Sequence, residues 1–256
     1  MDNKISVIPE IGEISRYARL AVQYDLSFEY NDFYRPKVYD DPDEISRRIE
    51  IYRSLERDRI DDTLHGVFYD IAFTSMDPVI RKRSRELMEQ SVSIAGQLGC
   101  KGVVFHSGLI SGLDTEEYCK SWLRDAKEFL SGLAASNPEI TVFLENTFEK
   151  TPDILVDFME SVSDVPNLRI CLDYAHACLV TDRTEEWFSA LAKYIGHIHI
   201  NDNDLRSDLH LSLGDGKINL VRFKSLLDRY KPDCNMLLEV SGYDRTVKSL
   251  EKIRSL

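Results

Sequence analysis

Eight short apolar runs, each followed by a stretch with helical periodicity, recur along this 256-residue chain without a compositional break. The runs are Ile5–Pro9, Leu26–Tyr30, Thr63–Phe68, Gly102–Ser107, Thr141–Glu145, Arg169–Asp173, Ile195–Ile200 and Met236–Val240. Most are too short for free-standing helices, and their near-continuous apolar character suits strands covered on both faces. The intervening segments carry helix punctuation. Pro78–Leu98 sets Ile80, Leu87, Ser91, Ile94 and Leu98 on one stripe opposite Arg81, Lys82, Arg83 and Glu86, and stops at Gly99. Asp41-Pro42-Asp43-Glu44 and Thr115-Glu116-Glu117 open helices with a capping oxygen and an acidic first turn. Thr151-Pro152-Asp153 reads as a cap with Pro at the first helical position.

Strict strand–helix alternation with no long linker predicts one domain over residues 1–256, an α/β (β/α)8 TIM barrel with parallel strands and right-handed crossovers. An open doubly wound sheet is the rival, but the turn after the first run, Ile8-Pro9-Glu10-Ile11-Gly12, lacks the G-x-G-x-x-G such a sheet favours there. Gly214-Asp215-Gly216 carries no phosphate-loop Lys-Ser/Thr. A chain of this length buries a core without disulfide or metal staples. Its five cysteines (Cys100, Cys119, Cys171, Cys178, Cys234) form no C-x-x-C pair, and Cys171 reads as a small hydrophobe, so a reducing, cytoplasmic setting is expected. No run of about 18 apolar residues is present, so no membrane span is predicted, and Met1–Gly12 shows no secretory pattern. The net charge of −12 weighs against nucleic-acid binding by bulk charge while leaving room for a local metal-rich cleft.

The chemistry collects where the runs stop. His65, His106, Glu145, Asp173, His199 and Glu239 stand at the ends of the third to eighth runs. His176 follows the sixth, and Asp208 and His210 follow the seventh. In a barrel this end is where the βα loops converge around the axis. Each residue alone has an ordinary explanation: a lone His is commonly a hydrogen-bonded structural residue, and an acid after a strand is commonly a helix cap. Convergence alters the reading, because five of the six histidines fall at this rim. His197, two residues before His199, is read as a core histidine one layer deeper. Carboxylates and imidazoles beside runs such as Thr141-Val142-Phe143-Leu144 carry a heavy desolvation cost unless paired. Binding a divalent cation removes that cost, and the mixed N/O set suits zinc, manganese, iron or cobalt.

Several segments together resemble the xylose isomerase-like TIM-barrel superfamily, which holds sugar isomerases and epimerases and the endonuclease IV type of apurinic endonuclease. They are Leu64-His65, Val104-Phe105-His106-Ser107-Gly108, Phe143-Leu144-Glu145-Asn146-Thr147, Cys171-Leu172-Asp173-Tyr174-Ala175-His176, His197-Ile198-His199-Ile200-Asn201-Asp202, Asp208 through Gly216, and Leu237-Leu238-Glu239. The resemblance implies a core metal held by Glu145, Asp173, His199 and Glu239. The endonuclease IV pattern implies a second ion on His65 and His106 with Glu145 bridging, and a third on His176, Asp208 and His210. One to three divalent ions, zinc or manganese, are therefore expected. There are departures. The loops after the first two runs lack the DNA-penetrating character of the endonuclease branch, Phe68 stands where that branch tends to have Tyr, and the usual Lys after Asn201-Asp202 is missing. Glu29 in Phe28-Glu29-Tyr30 resembles the strand-two acid of the sugar isomerase branch.

Two activities fit this pattern. The first is an isomerase or epimerase of a small sugar, polyol or sugar phosphate, with Glu145 and Glu239 trading a proton and His176 contacting substrate. Glu29 and Phe68 are expected to bind substrate, and Arg206 and Lys217 are weaker candidates for a phosphate contact. The second is a zinc-dependent phosphodiesterase cleaving at abasic sites, which alone would bring a nucleic-acid partner; a non-enzymatic sugar- or metal-binding scaffold is the third reading. The aromatic group Phe28, Tyr30, Phe33, Tyr34 and Tyr39 is read as core or barrel-capping, and a homo-oligomer is left open.

Overall fold

The computed structural model describes residues 4–256, so Met1, Asp2 and Asn3 of the Met1–Gly12 stretch lie outside the described residues. Eight parallel strands close on themselves: β1 (Ile5–Val7), β2 (Ser27–Tyr30), β3 (Thr63–His65), β4 (Gly102–His106), β5 (Thr141–Glu145), β6 (Leu168–Asp173), β7 (Ile195–Ile200) and β8 (Asn235–Leu238). Each pairs with the next, and β8 pairs with β1. Helices follow the strands around the outside, forming a single TIM-barrel domain. No described helix is long and apolar enough to cross a membrane.

The period-2 alternation of strands explains which residues meet on the axis. Val103, Phe105, Val142, Leu144, Ile170, Leu172, Ile198 and Ile200 face outward into the main core against the helices, whereas Val104, Phe143 and Cys171 form a separate small cluster inside the barrel. The same inward parity carries His106, Glu145 and Asp173, each two residues further along its strand. Register then levels them: His106 pairs with Glu145, Glu145 with Cys171, and Asp173 with His199. Strand pairing thus levels two pairs, His106 with Glu145 and Asp173 with His199, the second lying two residues beyond the Cys171 that faces Glu145.

Helix termini follow their local chemistry. Asp41 accepts the Glu44 N–H, Asp77 those of Val79 and Ile80, and Thr115 that of Tyr118. Gly99 closes Pro78–Leu98 at φ 77°, a conformation that favours Gly. Three expectations need correction. The helix after β5 begins at Asp153 with Pro152 in the cap position, and the Thr151 hydroxyl is engaged with the Asp153 carboxylate instead of capping. Ile80 is exposed, as is Val79 beside it in the helix's first turn. Four of the strands end early: β4 at His106, β8 at Leu238, β1 at Val7, just before Ile8-Pro9, where Pro offers no N–H, and β3 at His65. At Gly66 a Cβ would stand 2.2 Å from the Phe105 ring, so the chain can pass there only as glycine.

Phe28, Tyr30, Phe33 and Tyr39 are buried, as the core reading anticipated. Tyr34 is half-buried and stacks on Phe68. Cys100, Cys119, Cys171 and Cys178 are free thiols.

Candidate metal centre

Glu145, the last residue of β5, is fully buried and central. Its Oε2 lies 3.4 Å from His65 Nε2 and 3.5 Å from His106 Nε2, and its Oε1 lies 3.2 Å from His199 Nδ1 and 3.8 Å from His176 Nδ1. Across the mouth, Glu239 places Oε1 3.7 Å from His199 Nδ1 and Oε2 3.6 Å from His210 Nδ1. Asp173 Oδ2 is 3.5 Å from His176 Nδ1. Asp208 Oδ2 bridges His176 Nε2 at 3.2 Å and His210 Nε2 at 2.9 Å. All nine strand-end residues read as candidate ligands therefore join one connected cluster.

Local structure holds these groups in place. Asp173 also caps the helix Tyr174–Val180, accepting the His176 N–H at 2.7 Å, which sets His176 beside it. Asn146 accepts the Asp173 N–H at 2.8 Å, donates to its carbonyl at 2.9 Å, and offers its own carbonyl to His176 Nδ1 at 3.0 Å. Buried Asp202 takes the N–H groups of Asn203, Gly214 and Ile218, pinning the loop that carries Asp208 and His210. Gly216 is required there, since a Cβ would stand 2.3 Å from Asp202 Oδ1 and 2.4 Å from the Asn203 carbonyl. His210 has φ 45°, an uncommon left-handed backbone for a non-glycine residue. Sequence reasoning assigned no role to Asn146 or Asp202. Their signal was a buried-type amide or acid directly after an apolar strand.

Electrostatics divides the imidazoles. Burial drives the His106 ring down to about 4, so it is neutral at pH 7. Burial also acts on His199, His176 and His210, but the facing carboxylates outweigh it. His199 and His176 are held well above the ordinary histidine range, and His210 at about 10. Burial, with Glu239 and Glu145 nearby, raises Asp173 to about 7 despite His176. Glu145 stays well below the usual carboxylate range, because His199 and His106 offset its burial.

The donor set passes a test for a divalent ion. Both oxygens of Glu145, Asp173 Oδ2 and both ring nitrogens of His199 are buried with no hydrogen bond. Leaving such groups without partners costs several kcal/mol each. Ligand atoms about 2.1 Å from a tetrahedral ion sit about 3.4 Å apart, and the Glu145 contacts span 3.2–3.8 Å. The triads His65–His106–Glu145, His65–His199–Glu239 and Glu145–Asp173–His176 each bring three ligand atoms within 4.8 Å of one another. Cys171, read as a small hydrophobe, also lies within such a triad, with Glu145 and His199.

The three expected substrate contacts are placed differently. Phe68 stacks on His106 (centroids 5.1 Å, planes 27° apart), with Tyr34 on its far side. Glu29 does not line the mouth: it is fully buried one layer lower, because it pairs in register with Thr63, two residues before His65. Arg206 is exposed in a turn where its backbone N–H donates to Asp204, and no ion pair or hydrogen bond ties its guanidinium to the cluster among the described residues. His197 is buried, as expected, and packs on Phe143.

Comparison with known proteins gives a consistent picture. The family described as xylose isomerase-like TIM barrel matches residues 21–256. A probable endonuclease 4 of Persephonella marina is 29% identical over 212 residues, 73% of each chain. A D-tagatose 3-epimerase-like protein superposes with a TM-score of 0.76 at 24% identity, over 98% of this chain and 96% of that one. A Thermus thermophilus protein from crystals soaked with zinc chloride gives 0.77 at 23% identity, over 100% and 97%. Alignments to the first curated relatives span 66–73% of their own lengths.

Proposed function

The chain belongs to the xylose isomerase-like TIM-barrel family, and from that premise we propose that it is a divalent-metal-dependent isomerase or epimerase of a small sugar, polyol or sugar phosphate. The observation that carries this reading is that two carboxylates, Glu145 and Glu239, converge on one nitrogen, His199 Nδ1, at 3.2 and 3.7 Å. Glu145, Asp173, His199 and Glu239 would hold the ion, which supplies Lewis-acid polarisation of a neighbouring carbonyl and hydroxyl. Glu145 and Glu239 would share the proton transfer, one taking the proton at the carbon next to the carbonyl and the other returning it. In this reading His176 would hold a substrate oxygen, and Phe68 would pack against the apolar face of the substrate. The loop after β1 leaves no penetrating arm: it turns directly into helix Ile14–Tyr24, and Glu10 is tied to the Gly242 N–H at 2.6 Å. The relative named a D-tagatose 3-epimerase-like protein supports the same reading.

A second reading, a zinc-dependent phosphodiesterase of the endonuclease IV type, is favoured by one observation. His65 with His106, and Asp208 bridging His176 and His210, are two complete ligand groups that a single-ion isomerase does not need. The endonuclease 4 relative points the same way. Metal analysis of protein purified without added metal, run beside two assays, separates the readings. We expect deuterium from solvent to enter a ketose or ketose phosphate next to its carbonyl, and no nicking of an abasic duplex. Three zinc ions per chain together with nicking would reverse the ranking.

Metal uptake is expected to release protons. His176, His199 and His210 are held protonated at pH 7 by their carboxylates, whereas an ion needs neutral imidazole. Affinity should therefore rise with pH, by up to about tenfold per pH unit for each proton displaced. Calorimetric titration in two buffers of different ionisation enthalpy checks this; identical heats in both would contradict it.

A further inference from the structure

One layer beneath the candidate centre, Glu29 reaches from β2 across the barrel interior to β7. Its Oε2 accepts the Thr63 hydroxyl at 2.7 Å and lies 2.9 Å from His197 Nε2, while its Oε1 lies 3.1 Å from His199 Nε2. All four side chains are buried, and among the described residues no Lys or Arg forms an ion pair with this carboxylate. Neither Glu29 Oε1 nor His199 Nε2 forms a hydrogen bond in this structure, so at 3.1 Å each is the near, unclaimed partner of the other. The opposite nitrogen of the same ring, Nδ1, faces Glu145 and Glu239.

An imidazole that gives Nδ1 to an ion must carry its proton on Nε2, and a carboxylate at Nε2 fixes that tautomer and the ring's orientation. We infer that Glu29 is a positioning residue which, anchored by His197 and Thr63, holds the Nε2–H form of His199 and presents Nδ1 to the ion. This gives a purpose to a buried acid that no substrate can reach, and to His197, whose Nε2 secures the other carboxylate oxygen. The inference rests on the metal reading proposed above.

Zinc titration of the wild-type protein and of Glu29→Gln tests it. The amide can serve Thr63 and His197 only by turning its NH2 toward His199, where it opposes the Nε2 proton. Zinc should bind 10–100-fold more weakly, with the circular dichroism spectrum unchanged and kcat recovered at higher zinc, a split that loss of packing would not produce. The wild type supplies a readout needing no variant: in zinc-loaded protein, nitrogen-15 NMR should show His199 protonated at Nε2 and bare at Nδ1. Equal zinc affinity in Glu29→Gln, ligation of zinc by His199 Nε2, or anomalous scattering from an ion seated between Glu29, His197 and His199 would each overturn the assignment. Failure of the wild type to bind any divalent ion would instead remove the metal reading itself, and this inference with it.

Discussion

Replacing Glu145 by Gln is expected to lower turnover at least about a thousandfold, within the range attributed to loss of a positioned acid–base group. The amide keeps the shape of the side chain, so the barrel should remain folded. It cannot take a proton, and it removes the charge that faces His65, His106, His176 and His199. Because both oxygens serve different imidazoles, bound metal should fall as well, in contrast to a variant that disturbs only substrate contact. Turnover at saturating metal, metal content by elemental analysis and circular dichroism together check the expectation. Near-normal turnover in this variant would mean that the reaction centre lies elsewhere.

At the opposite end of the barrel, Asp62→Ala should cost about 3–5 kcal/mol of stability, the loss typical of removing one partner of a buried ion pair. Asp62 immediately precedes β3 and is fully buried. It takes two hydrogen bonds from Arg57 at 2.6 and 2.7 Å, the Phe28 N–H at 2.8 Å and the Tyr30 hydroxyl at 2.6 Å. The Arg57 guanidinium, itself 3% exposed, also lies 3.9 Å over the Phe28 ring. Truncation strands that cation in the interior and frees a backbone donor at the joint between β2 and β3. For a domain of this size the melting temperature should drop by roughly 10 °C. Urea unfolding measures the loss, and a change below about 1 kcal/mol would show that the pair is solvated. Metal affinity of the folded fraction should be unaltered, since the N-terminal face of such barrels serves stability and the C-terminal face chemistry.

The two variants probe parts of the chain that were unequally legible. Glu145, His106, Asp173 and His199 could be found because each ends an apolar run, and strand pairing levels strand ends. Glu29 could not be placed the same way. It lies in an apolar run like the others, yet its partner in register is Thr63, not His65, which sets it a layer lower and fully buried. Arg206 was suggested by charge alone, and charge does not say that a turn holds the side chain out in solvent.

What the amino-acid order determined by itself was periodicity: eight apolar runs spaced by helical segments, with acids and imidazoles at the run ends. Period 2 and period 3.6 are local properties, and their alternation leads to parallel strands covered by helices. Only the tertiary structure decided that Glu145 would stand within 4 Å of four histidines drawn from β3, β4, β7 and the helix after β6. Those distances join residues 31 to 80 positions apart, and they depend on strand register, inward parity and the barrel's closure, none of which a stretch of neighbouring residues encodes.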